Sequence, residues 1–176
     1  MATAVAAPEH FGLNPALEPA HIRAPRRRFL DARPARVQKR MMADLDRYRD
    51  HGLLAIRVGL GAMFMFHGYP KLAGGAAQWT KLGKSMKYVG IDFAPEFWGF
   101  MAGISETGGG LLLALGLLFR PACTMLLITM IVATMSHFGR GHDLLKASHA
   151  IEAGIVFLGL FFTGPGAYSI DARRGK

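Results

Sequence analysis

The chain has 176 residues, 51% of them hydrophobic and 19% charged, with 22 glycines, one cysteine and a net charge of +9. That length allows one domain, or one domain with a tail. The lone Cys123 excludes an internal disulfide framework, a CxxC redox motif and a cysteine-based zinc site. The charge is placed unevenly, because the first 51 residues hold ten of the 21 basic side chains and only one of the glycines.

Residues 1–35 are rich in Ala, Pro and Arg and contain no apolar stretch of the length a cleaved signal peptide needs. Their composition predicts that the upstream half is disordered. Residues 36–50, RVQKRMMADLDRYRD, read as a short interfacial helix with Val37, Met41, Leu45 and Tyr48 on one side. Arg23, Arg26, Arg27, Arg28, Arg33, Arg36, Lys39 and Arg40 form a basic run suited to anionic lipid or an acidic partner surface. The run leads directly into apolar sequence, which argues against nucleic acid as its partner.

Four apolar segments follow: Leu53 to Gly68, Phe97 to Phe119, Ala122 to Ser136 and His149 to Gly164. A membrane-spanning helix needs about 20 mostly apolar residues. The second segment meets that unaided, and the others reach it with their flanks. GLLLALGLLF and TMLLITMIVATM lack the polar face that a soluble helix shows at a 3.6-residue period. The expected fold is all-α, a four-transmembrane-helix bundle. Its limits are 52–171, after a basic extension over 1–51 and before a short basic tail at 172–176. Trp79, Tyr88, Phe93 and Trp98 in the first outer loop suit an interfacial aromatic belt or a short helix on the membrane surface.

Lys and Arg near span ends set orientation. With four spans, fourteen of these residues fall on the side of both termini and six on the other. Both termini are therefore expected on the cytoplasmic side of a bacterial inner membrane.

Ionisable groups inside spans are costly and are functional candidates by default. Six of them, His67, Lys71, Glu106, His137, His149 and Glu152, fall in the outer half of the bundle. Together they would form a polar pocket for a quinone head group or a proton relay, or else only fix the packing. Lys71 is expected just beyond a break at Gly68–Pro70, and Glu106 near mid-membrane, where a carboxylate demands a partner. Arg57, at the opposite end, is expected to pair with Asp171. Metal is not expected, since a di-iron bundle site needs two ExxH-type pairs and only His149–Glu152 exists, in reversed order. Haem ligation by His67, His137 or His149 is conceivable, but their spacing does not call for it.

Three stretches in order, RVGLGAMFMFHGYPKL at Arg57–Leu72, GISETGGGLLLALGLLFRPA at Gly103–Ala122 and GPGAYSID at Gly164–Asp171, give a resemblance over Gly52 to Asp171. The domain resembles the DoxX family of small bacterial four-helix membrane proteins. That resemblance implies membrane location and a link to quinone or thiol redox chemistry, without naming a reaction. The positions it carries over are Arg57, Gly68, Lys71, Glu106, Gly109, Arg120, Gly164, Pro165 and Asp171. The N-terminal extension lies outside it.

Three functions fit these residues. The first is an accessory subunit of a larger membrane redox or energy-converting complex, docked through the extension and the lipid-facing helices. The second is a quinone-interacting oxidoreductase component built on Glu106, His67, Lys71 and Glu152. The third is a small transporter. The chain has no cysteine pair or flavin motif, so any electrons must come from a partner or pass directly between substrate and quinone. No internal inverted repeat supports transport. The accessory-subunit reading is preferred.

Overall fold

A computed structural model of the chain describes Val37 and residues 46–175. The basic run from Arg23 to Arg36, with Lys39 and Arg40, lies outside the described residues. The chain divides into two units, Met1–Met42 and Ala43–Lys176, and all the helices below lie in the second. They are α1 (Arg49–Ala73), α2 (Gly75–Gly83), a 3₁₀ segment (Lys84–Val89), α3 (Pro95–Leu115), α4 (Phe119–Gly139), α5 (Leu144–Thr163) and the short α6 (Ile170–Arg174). The described residues contain no strand.

Helices α1, α4 and α5 are long and apolar enough to cross a membrane. Helix α3 has 21 residues, but its polar and glycine content leaves it short of that measure. Those residues face inward: Gly99, Gly103, Ser105, Glu106, Gly109 and Gly110 are all buried.

In lipid, helices associate through close packing rather than through escape from water, so small residues gather where backbones meet. The α1–α3 contact is of this kind. A Cβ on Gly61 would lie 2.5 Å from the Gly110 carbonyl oxygen, and one on Gly110 would lie 2.7 Å from that of Gly61. Helices α4 and α5 pack along a second seam around Leu126, Met130, Ala150 and Ala153. Across the bundle, Phe64 of α1 meets Phe157 of α5 edge-on, with ring centroids 4.8 Å apart.

The ends show why the helices stop where they do. Gly116 and Leu118, with φ of 64° and 46°, turn the chain between α3 and α4. That turn comes earlier than Arg120–Pro121, which sit instead in the first turn of α4, where proline's missing N–H costs nothing. Asp171 closes the same corner. Its carboxylate accepts hydrogen bonds from the Leu118 N–H at 3.0 Å and the Phe119 N–H at 2.9 Å. Asp50 accepts from the Ala167 N–H at 3.0 Å, which fastens the chain after α5 to the start of α1.

Candidate functional site

The expected break at Gly68–Pro70 is absent, because α1 runs through Pro70 to Ala73. This continuity builds the site. Gly68 and Lys71 are three residues apart and share a helix face. A Cβ on Gly68 would lie 2.7 Å from the Glu106 Cβ, so the bare glycine lets α1 approach α3 at the level of that carboxylate. One turn on, Lys71 Nζ donates to Glu106 Oε1 at 2.7 Å and Oε2 at 2.5 Å. Glu106 is 4% exposed, while the Lys71 side chain keeps about a third of its surface accessible (32%). Among the described residues this is the one ion pair. Trp79 of α2 donates its indole N–H to the Lys71 and Leu72 carbonyls at 3.0 and 3.1 Å, which fixes the end of α1.

The pair borders a cavity of about 380 Å³ between α3 and α4, roofed by Leu82, Ser85 and Met86. That volume is in the range of small-molecule sites. Met101, Met125, Val132 and Ala133 give it apolar walls. Phe97, Met125 and Ile128 line it yet are 51%, 37% and 55% exposed, so it opens sideways between the two helices.

Its polar groups are few. Thr129 donates to the Met125 carbonyl at 2.9 Å, so its 2.8 Å bond with Ser105 takes the Ser105 proton. The Lys71 ammonium has three protons and Glu106 engages two. Trp98 also lines the cavity, and its Nε1 is buried without a hydrogen-bond partner. An indole N–H only donates, and a buried donor left unpaired is costly. Beside the Ser85 hydroxyl at its roof, which accepts from Ser136 and Arg140 at 3.2 Å each, the site thus presents two stronger donors, one ammonium and one indole, within apolar walls. That arrangement suits an apolar ring bearing an acceptor oxygen.

The six residues expected to share one pocket separate into three places. Lys71 and Glu106 meet at the cavity. His67 and His149 lie beside each other, ring centroids 6.3 Å apart, on the exposed side of α1 and α5, and Glu152 is exposed one turn further along α5. His137 Nδ1 lies 2.9 Å from Nδ1 of His142 at the end of α4. Depth along each helix was readable from the sequence, but direction around the helix axis scattered these groups. Trp98, expected in a surface belt, belongs to the cavity. Its spacing to Ala102, Ser105 and Glu106 is the helical signal that finds it.

Arg57 and Asp171 do not form the expected ion pair. Arg57, 1% exposed, donates through Nη2 to the Tyr168 carbonyl at 2.8 Å, while Asp171 is taken up by the two N–H groups at the head of α4. Arg57 instead sits against the C-terminal end of α3, where a Cβ on Gly116 would collide with its Nη1. The partial negative charge of a helix C-terminus favours a cation there. Among the described residues no group of three or more His, Cys, Asp or Glu could hold a metal ion.

Comparison with known proteins agrees with this architecture. A family model described as DoxX matches residues 52–139, from early α1 to the end of α4. The chain is 29% identical over 135 residues to the inner membrane protein YqjF of Escherichia coli (strain K12), across 75% of this chain and 98% of that one. No solved structure matches. The match covers the glycine seam, the Lys71–Glu106 pair and the cavity walls alike, and by it the chain belongs to the DoxX family of membrane proteins.

Proposed function

We propose that this chain is a four-span accessory subunit of a redox assembly in a bacterial inner membrane, and that its α3–α4 cavity holds the head group of a quinone-class lipid. Helix α3 supplies the fourth span. Its 21 residues reach about 31 Å. Its polar groups are turned inward, while Phe97, Leu111 and Leu115 face outward. The excess of Lys and Arg on the side of the termini supports a cytoplasmic location for both.

The observation that carries the ligand reading is the unpartnered Trp98 Nε1 on an apolar, laterally open cavity that Lys71 also lines. A quinone carbonyl accepts from such donors, and its ring and isoprenoid tail suit the methionine-rich walls and the sideways opening. When bound, a quinone supplies two-electron, two-proton redox capacity. The chain's own residues bind and orient it. Lys71 and Trp98 donate to a carbonyl oxygen, Glu106 holds Lys71 in place, and Met101 and Met125 exclude water. With one cysteine, and that buried, the chain has no dithiol–disulfide couple, so electrons reach the quinone from a neighbouring subunit or directly from a substrate.

Saturable binding of a short-tailed benzoquinone to the full-length protein in nanodiscs tests this. Trp98→Phe should weaken binding about fivefold, the worth of one hydrogen bond. Lys71→Met should weaken it further. Unsaturable partitioning, the same in both variants and the parent, would sink the ligand reading.

A further inference from the structure

The outward face of α5 carries what a surface facing hydrocarbon avoids. Glu152 is the ninth of twenty residues in that helix, about 12 Å from its start, so it lies near the middle of the span. It is exposed, and among the described residues no cation stands within ion-pair distance of it. A carboxylate at that depth needs a protein partner, because lipid supplies none.

The surroundings of Glu152 indicate what kind of partner fits. Leu145, His149, Glu152, Val156, Gly159 and Thr163 are all exposed, at alternating intervals of four and three residues. That 3.5-residue period draws one straight stripe along α5. A Cβ on Gly159 would meet nothing within 4 Å, so a helix backbone from outside has room to approach there. Small residues combined with hydrogen-bonding ones are what membrane helices use to recognise each other. At the outer end of the stripe His67 of α1 lies beside His149. One face therefore holds a carboxyl group able to accept and, one turn away, two imidazoles able to donate.

We propose that this α1–α5 face is an interface with a second copy of the same chain, in which His149 and His67 of each copy hydrogen-bond Glu152 of the other. A two-fold axis along the membrane normal sets equal depths against each other and brings the same patch to both sides. Donor and acceptor lie one helical turn apart in depth, which a long side chain spans. The face is thus complementary to itself, and no foreign cation is required. The proposal rests on the membrane placement of α1 and α5, not on the cavity, so it stands or falls separately from quinone binding.

Cysteine cross-linking in native membranes tests it, with two differently tagged copies of the full chain co-expressed in a Cys123→Ala background. Oxidation of Val156→Cys should yield a disulfide-linked species carrying both tags, and Leu111→Cys on α3 should not. Adding Glu152→Leu to Val156→Cys removes the carboxylate from both copies and should lower the yield about eightfold, in line with one interhelical hydrogen bond in lipid lost on each side of the axis. Absence of the two-tag species, an equal yield from Leu111→Cys, or linkage only to a different protein would overturn the interface. An unchanged yield with Glu152→Leu would overturn the part assigned to the carboxylate.

Discussion

Lys71 and Glu106 join the last turn of α1 to the middle of α3, with Nζ 2.7 and 2.5 Å from the two carboxylate oxygens. The approach depends on Gly68, one turn earlier, having no side chain to hold the helices apart. The pair belongs both to the packing of the bundle and to the wall of the cavity.

Removing one partner of a buried pair costs about 3–5 kcal/mol because the other charge is stranded. Lys71 is a third exposed and Glu106 is not, so Glu106→Leu, which strands the less buried charge, should cost less than Lys71→Met. The double variant should be more stable than the sum of the two losses implies. Thermal unfolding of all four proteins in detergent checks this, and strictly additive losses would contradict a coupled pair.

Glycine substitutions should divide by location. Gly61→Ala places a methyl group 2.5 Å from a backbone oxygen and should cost about 1–3 kcal/mol by overpacking. Gly59→Ala meets nothing within 4 Å and should be neutral or stabilise by up to about 1 kcal/mol through helix propensity. Unfolding midpoints of the two variants separate these outcomes, and equal midpoints would count against the α1–α3 seam.

Asp171 and Arg57 should act independently. Asp171→Ala removes a cap from two backbone N–H groups at the head of α4 and should cost about 1–2 kcal/mol. Arg57→Met removes a buried donor from the Tyr168 carbonyl, a different interaction. A double-mutant cycle should therefore show coupling of at most about 1 kcal/mol, from the Gly116 corner that both residues touch and not from a direct ion pair. A coupling of several kcal/mol would restore the direct ion pair.

Cys123 of α4 is fully buried in the core. Inaccessible thiols are inert, so a membrane-permeant maleimide should label the native protein far more slowly than the denatured one. Rapid labelling of the native protein would mean that the core around α4 opens.

Much of this architecture was legible in the sequence because apolar runs and glycine spacing act along one dimension. Glu106, deep in an apolar segment, announced the need for a partner, and Lys71 is that partner. The Arg57–Asp171 pairing failed for a local reason: the exposed N–H groups at the head of α4 reach Asp171 first, and the hairpin after Gly164 presents a carbonyl to Arg57. The scattered histidines failed for a geometric one. His67 is four residues before Lys71 but turns toward α5, and His137 is taken up by His142, whose loop position gave no signal. Trp98 is the instructive case, since its heptad-like spacing to Ser105 was visible, yet its aromatic character suggested the membrane surface instead.

Photolabelling locates a quinone head group bound between α3 and α4. An azido-benzoquinone irradiated with the full-length protein in nanodiscs, followed by peptide mapping, reports where the head group sits. Labels should fall on Trp98, Met101 or Met125 and be suppressed by excess unlabelled quinone. Labels spread over the outer faces of α1 and α5, or labels indifferent to competitor, would contradict binding between α3 and α4.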